Sequence, residues 1–429
     1  MTTLLLDLAV LAAVAAAAGW LMRRLRQPAV VGEIAAGVLL GPTLVPAHVS
    51  ATLLPAGPRS AVLALADVGL ALFMFLVGAR LETGRERRLG RRTATISVAA
   101  MLLPLGLGVG LGLARVSTVA ADDRAAFVVF MGVALSVTAF PVLARILRER
   151  GLDRTVIGAE ALTVAATCDV AGWALLALAA TLASTASWHI ALLPVYVAAM
   201  ILVVPRVLRV VLDGRGPKDR TTQLTIVLVG LLASAAATDA MGLHLIFGAF
   251  VFGVALPRDS EIRGWLIAAV EPVTVAVLMP IYFVVTGLAV DLSGFGLTAV
   301  GLLLVVLLLA FGGKLLGGYV GARAGGLGPL DAVTMATLLN TRGLTELVVL
   351  AAGRELGLLD PVTYAVLVLM ALATTAAAGP LLTLVARRGG RALQPVTGDH
   401  DGVPPDVGNG VTAPPPVRRA TRTPQESER

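Results

Sequence analysis

The 429-residue sequence predicts an all-α polytopic membrane protein of about thirteen transmembrane helices, set out as six, a linking seventh and six more in inverted orientation. Three observations carry this expectation. Hydrophobic residues make up 57% of the chain and charged ones only 14%, with a mean hydropathy of +0.88, which is too apolar for an ordinary soluble globule. Apolar runs of roughly 20 residues, enough to cross about 30 Å of hydrocarbon, recur along the chain without the alternation of barrel strands. Basic residues collect on every second loop.

The runs fall at 4–22, 29–46, 61–79, 93–114, 125–147, 155–183, 188–212, 222–237, 241–257, 262–289, 294–320, 329–352 and 359–386. A spanning segment must satisfy its backbone polar groups internally, so each run is read as a helix. All but six of the 34 Lys and Arg lie after odd-numbered runs or in the tail; the exceptions are Arg59, Arg115, Arg124 and Arg354 on the other loops, and Lys314 and Arg342 inside runs. Basic loops face the cytoplasm, which puts the N-terminus outside the cell membrane and the C-terminus inside. A wrong number of runs would have scrambled that alternation. The same topology accounts for the net charge of +7 without nucleic acid. The first run has no basic residue ahead of it and no cleavage pattern, so it reads as a retained helix rather than a signal peptide.

Two runs carry interruptions. Run five contains SVTAFP, Ser136 to Pro141, where proline removes a backbone donor and the hydroxyls of Ser136 and Thr138 can reach freed carbonyls. Run twelve contains NTRG, Asn340 to Gly343, where a charge and a glycine break an apolar helix. The two are equivalent positions in an inverted repeat, the architecture of many secondary transporters. The domain reading is a transmembrane unit over 1–386 and a Pro-, Gly- and charge-rich tail over 387–429, expected to be disordered and cytoplasmic.

Charges at membrane depth are costly and mark functional positions. Asp7, Glu33, Asp67, Glu160 and Glu271 lie in the runs, mostly near their ends, and Asp239, Asp291 and Asp331 lie at ends; Asp169, Lys314, Arg342 and Glu346 lie deeper. Asp169 is about fifteen residues into its run, near the midplane at about 1.5 Å rise per residue. A carboxylate there can hold a proton or a hard monovalent cation, and that mutual exclusion is what antiport requires. Ser136 and Thr138 supply oxygens of the kind alkali cations accept. Lys314 is a candidate to neutralise Asp169 or to carry the proton, and Arg342 with Glu346 has the i, i+4 spacing of an intrahelical pair. The opposing interpretation is a carboxylate held permanently by Lys314 for stability. Cys168, the one cysteine, excludes an intramolecular disulfide. No nucleophile elbow, Walker loop or metal-ligand histidine spacing is present, so the chain does not read as an enzyme, and no cofactor is expected.

The segments QPAVVGEIAAGVLLGPTL (27–44), VGLALFMFLVGARLE (68–82), MGVALSVTAFPVLARIL (131–147), CDVAGW, GLHLIFGAFVFGVALPR (242–258), MPIYFVVTGLAVDL (279–292) and LLNTRGLTELVVL (338–350) together resemble the monovalent cation:proton antiporter-2 family. That family includes Kef- and Nap-type bacterial antiporters and the plant cation/proton exchangers. The resemblance implies a homodimer of thirteen-helix protomers, each with a scaffold and a mobile core in which two broken helices cross. It implies that Asp169 binds cation and proton, with Thr138 beside it, Lys314 on the equivalent helix of the second repeat, and Asn340, Arg342 and Glu346 on the second broken helix. Partners would be Na⁺ or K⁺, protons and the lipid bilayer, and transport would proceed by alternating access. Many members carry two carboxylates, or Asn-Asp, where this chain has Cys168 and Asp169; one fewer carboxylate points to one-for-one, electroneutral exchange. A nucleotide-binding domain like that of the glutathione-gated potassium-efflux subgroup is not expected. The alternative function is a sodium-coupled symporter of an organic solute on a related fold, which would need a roomier polar cavity than the small residues around Cys168 provide.

Overall fold

The structure is a computed structural model that describes residues 2–25, 27–41, 56–80, 90–149, 152, 155–183, 192–214, 219–257 and 261–388. Among these, all regular structure is helical. The helices are α1 (Thr2–Arg24), α2 (Ala29–Leu40), α3 (Ala56–Arg80), α4 (Arg91–Arg115), α5 (Arg124–Ser136), α6 (Phe140–Glu149) and α7 (Val156–Leu182). A linking helix α8 (Leu193–Leu212) follows. The second half comprises α9 (Arg220–Ala240), α10 (Leu245–Val254), α11 (Glu261–Leu288), α12 (Leu297–Ala324), α13 (Pro329–Leu339), α14 (Leu344–Glu355) and α15 (Pro361–Arg388).

Nine helices among the described residues are long and apolar enough to cross a membrane. The other runs correspond to α2 and α10, which are shorter, and to the two interrupted pairs α5/α6 and α13/α14. The breaks fall where the sequence placed them, at 137–139 and 340–343. The tail after Arg388 and parts of the loops lie outside the described residues.

The helices pack as two groups. One contains α1, α2, α3, α9, α10 and α11; the other contains α4, α5, α6, α7, α12, α13, α14 and α15. Each half of the chain therefore gives its first three spans to one group and its last three to the other, as an inverted repeat requires. Between lipid-like surfaces no hydrophobic effect drives helices together, so small residues that let backbones approach take its place. The first group shows this twice. A Cβ on Gly37 would lie 2.1 Å from the Val284 carbonyl and one on Gly287 2.3 Å from the Ile34 carbonyl, where α2 meets α11. Where α3 meets α10, Gly78 and Gly253 stand in the same relation to Phe250 and Phe75.

Outside the membrane, Asp219 caps α9 by accepting hydrogen bonds from the Thr222 backbone N–H at 2.8 Å and hydroxyl at 2.9 Å. These bonds hold its carboxyl below the usual carboxylate range. Of the edge charges, Glu160 pairs with Arg92 and Glu271 with Arg80. Asp7 is buried with one carboxylate oxygen unpartnered.

Substituting Gly287→Val should lower the stability of the detergent-purified protein by about 1–3 kcal/mol through overpacking. Gly110→Ala, where an added Cβ meets nothing within 4 Å, should leave thermal unfolding unchanged.

Candidate cation and proton site

An interrupted helix exposes backbone groups at both of its broken ends, and in an apolar interior each needs a partner. Around the first break those partners come from the second break and from α7. The carbonyls of Ala134 and Leu135, at the C-terminal end of α5, accept from the Arg342 guanidinium, at 3.0 Å from Nη1 and 2.5 Å from Nη2. The Ala139 N–H donates to the Thr341 carbonyl at 3.1 Å, so the two breaks are joined backbone to backbone. The Phe140 N–H, opening α6, donates to Asp169 Oδ2 at 3.3 Å. A cation thus sits at a helix C-terminus and a carboxylate at a helix N-terminus, each where the helix dipole favours it.

Gly343 makes the second break possible. Its φ is +153°, in a region open to glycine, and an added Cβ would lie 2.8 Å from Val142 Cγ2 on α6. Arg342 is fully buried and is fixed by Glu346, Nη1 to Oε1 at 2.6 Å, one turn along as the i, i+4 spacing predicts. Ser136 is also buried, its hydroxyl donating to the Val133 carbonyl at 3.1 Å in its own last turn.

Lys314 does not engage Asp169 directly. Its Nζ donates to Thr138 Oγ1 at 2.6 Å and to the Ala100 carbonyl at 3.4 Å, while remaining within electrostatic reach of Asp169, Cys168, Arg342 and Glu346. The permanent Lys314–Asp169 pair, raised as the opposing interpretation, is therefore not what the geometry contains. The Cys168 thiol lies 3.7 Å from the Ser97 carbonyl as a weak donor and is buried.

Asp169 is only 4% exposed, and its Oδ1 has no hydrogen-bond partner. The second break contributes further buried atoms without partners: both amide atoms of Asn340, the hydroxyls of Thr341 and Thr345, and Glu346 Oε2. Unsatisfied buried polar atoms are uncommon, and here they cluster at one crossing. Among the described residues no group of three or more His, Cys, Asp or Glu is gathered as a multidentate metal site. Oxygen atoms of mixed type around one carboxylate suit a weakly held hard cation.

The structure brings Asp169, Thr138, Lys314, Asn340, Arg342 and Glu346 to the one crossing. The residue types at NTRG and SVTAFP announced the breaks, but the Ala134, Leu135 and Phe140 backbone groups carry no side-chain signal. Thr341 and Thr345 were legible only as neighbours of Arg342.

The sequence matches the family described as sodium/hydrogen exchanger, transmembrane, over residues 10–388. The chain belongs to this family. Cation/H(+) antiporter 20 of Arabidopsis thaliana is 37% identical over 93% of the chain, and the chain spans about half the length of this plant relative, 50%. The Na(+)/H(+) antiporter NhaS4 of Synechocystis sp. is 35% identical over 89% of this chain and 98% of its own. The solved sodium proton antiporter MjNhaP1 of Methanocaldococcus jannaschii shares this exchanger fold with a TM-score of 0.64 over 92% of the chain and 99% of its own, at 14% identity.

Replacing Arg342 by Met should destabilise the protein by about 3–5 kcal/mol, because it leaves Glu346 as an uncompensated buried charge. The paired change Arg342→Met with Glu346→Leu should recover part of that loss in the same unfolding titration.

Proposed function

We propose that this chain is a secondary active antiporter that exchanges a monovalent cation, Na⁺ or K⁺, for protons by alternating access, with both competing for Asp169. The observation that carries the reading is the free Oδ1 of Asp169 beside two interrupted helices. One oxygen of the carboxylate is engaged by the Phe140 N–H, and the other is left for a proton or a cation. Thr138 and Asn340 supply neighbouring oxygens, Lys314 balances the charge when no cation is bound, and the Arg342–Glu346 pair braces the second break.

The two helix groups correspond to a scaffold and a moving core, in a thirteen-span protomer that assembles as a homodimer in the cell membrane. The N-terminus is outside and the C-terminus cytoplasmic, as the basic loops indicate. Family membership supports transport over enzymatic chemistry, and the relatives are antiporters; nothing among them favours the sodium-coupled symporter.

Dequenching of a pH-sensitive dye in everted vesicles should report cation-dependent proton movement for the parent. Asp169→Asn should reduce the signal to that of empty vesicles; a mutant that exchanges as fast as the parent removes Asp169 from the mechanism. The thiol of Cys168 adds no second carboxylate, so exchange should be one for one. Rates in proteoliposomes should then be indifferent to an imposed membrane potential, and a clear voltage dependence would exclude electroneutral exchange.

A further inference from the structure

The seam between the two helix groups is mostly apolar. Trp173 of α7, for example, meets Phe247 edge-on and Phe250 at a tilt, with centroids 6.5 and 6.3 Å apart, both on α10. Apolar contacts have no preferred direction and allow sliding. Polar contacts across the seam gather at one end, where α14 finishes. There Arg354 Nη1 donates to the Ala289 carbonyl at 3.3 Å, and the Tyr364 hydroxyl to the Thr286 carbonyl at 3.5 Å. At the same end His244 Nε2 lies 3.0 Å from Glu355 Oε2.

This last contact differs from four other ion pairs among the described residues. Arg80–Glu271 and Arg220–Glu261 stay within the first group, and Arg92–Glu160 and Arg342–Glu346 within the second. His244–Glu355 joins the first group to the second. His244 is held in place by its own helix: its side chain is only 3% exposed, and Nδ1 accepts the Ile246 N–H at 3.4 Å as the cap of α10. Nε2 faces Glu355 Oε2 as an ion pair when the imidazole is protonated, without the alignment of a hydrogen bond. Asp67 of α3, Asp239 of α9 and Arg354 of α14 are further charges at this corner. The imidazole is thus the partner that Glu355 finds across the seam.

We infer that the His244–Glu355 contact is a latch between the scaffold and core groups, made in the arrangement seen here and broken in the opposite one, so that it sets the balance between the two states. The inference rests on the antiport reading for its purpose. Its strength suits the role. The Glu355 side chain is 61% exposed, so the pair is weak enough to open in every cycle, whereas a fully buried pair would trap the protein. A contact made in only one of two states biases their populations, and removing it changes apparent affinity at each face through that bias.

Two variants isolate the contact. His244→Asn keeps an N-cap acceptor for α10 while falling short of Glu355, and Glu355→Gln removes the charge at an exposed tip. In oriented proteoliposomes each should shift the half-saturating cation concentration by about two- to fivefold, the weight of a partly exposed ion pair, in opposite directions at the two membrane faces. The double variant should match either single one. Equal shifts at both faces, additive effects or no shift would overturn the latch. Hydrogen–deuterium exchange reads the same opening without transport: Glu355→Gln should raise uptake at 244–248 and 354–358, and unchanged uptake would also overturn it. A parent protein that exchanges no cation for protons counts against the antiport reading, whereas the latch stands or falls on the uptake measurement.

Discussion

Everything at the centre of this molecule depends on how two interrupted helices are made tolerable inside a membrane. Each break frees backbone donors and acceptors that hydrocarbon cannot solvate, at several kcal/mol apiece. The protein answers with charges rather than with continuous helix. Arg342 takes the carbonyls that end α5, Asp169 takes the N–H that opens α6, and the breaks hydrogen-bond to each other through Ala139 and Thr341. The carboxylate that holds the break together is therefore also the proposed ligand, and it has one oxygen for each task.

This arrangement assigns distinct work to the two buried cations. Arg342 is committed on both sides, to Glu346 and to backbone carbonyls, and a guanidinium is the group suited to several fixed bonds at once. Lys314 makes only a hydroxyl and a carbonyl contact, with Cys168 and Asp169 near enough to feel its charge. On the proposed reading it is the adjustable member, able to turn toward Asp169 when the cation leaves. Thr138 is the direct side-chain partner of Lys314.

Much of this was legible in the sequence. Proline at 141, glycine at 343 and the charges at 169, 314, 342 and 346 each violate the rule for an apolar helix, so they stood out against their surroundings, and the Arg342–Glu346 pair followed from the i, i+4 spacing. The partner of Lys314 did not follow. Thr138 lies 176 residues away, and which hydroxyl or carboxylate an ammonium meets depends on how separate helices cross. Backbone partners at Ala134, Leu135 and Phe140 were invisible for a different reason: every residue has the same groups. Hydropathy located α10 but overstated its length, since the run 241–257 holds a helix of only Leu245–Val254.

The central claim is that proton and cation compete for one carboxylate at the crossing. Adding Na⁺ or K⁺ to the purified protein in weakly buffered detergent solution, with released protons followed calorimetrically in buffers of different ionisation enthalpy, tests it directly. The account predicts about one proton released for each cation bound, and none from Asp169→Asn. Cation binding without proton release, or undiminished release from the Asp169→Asn protein, would contradict it.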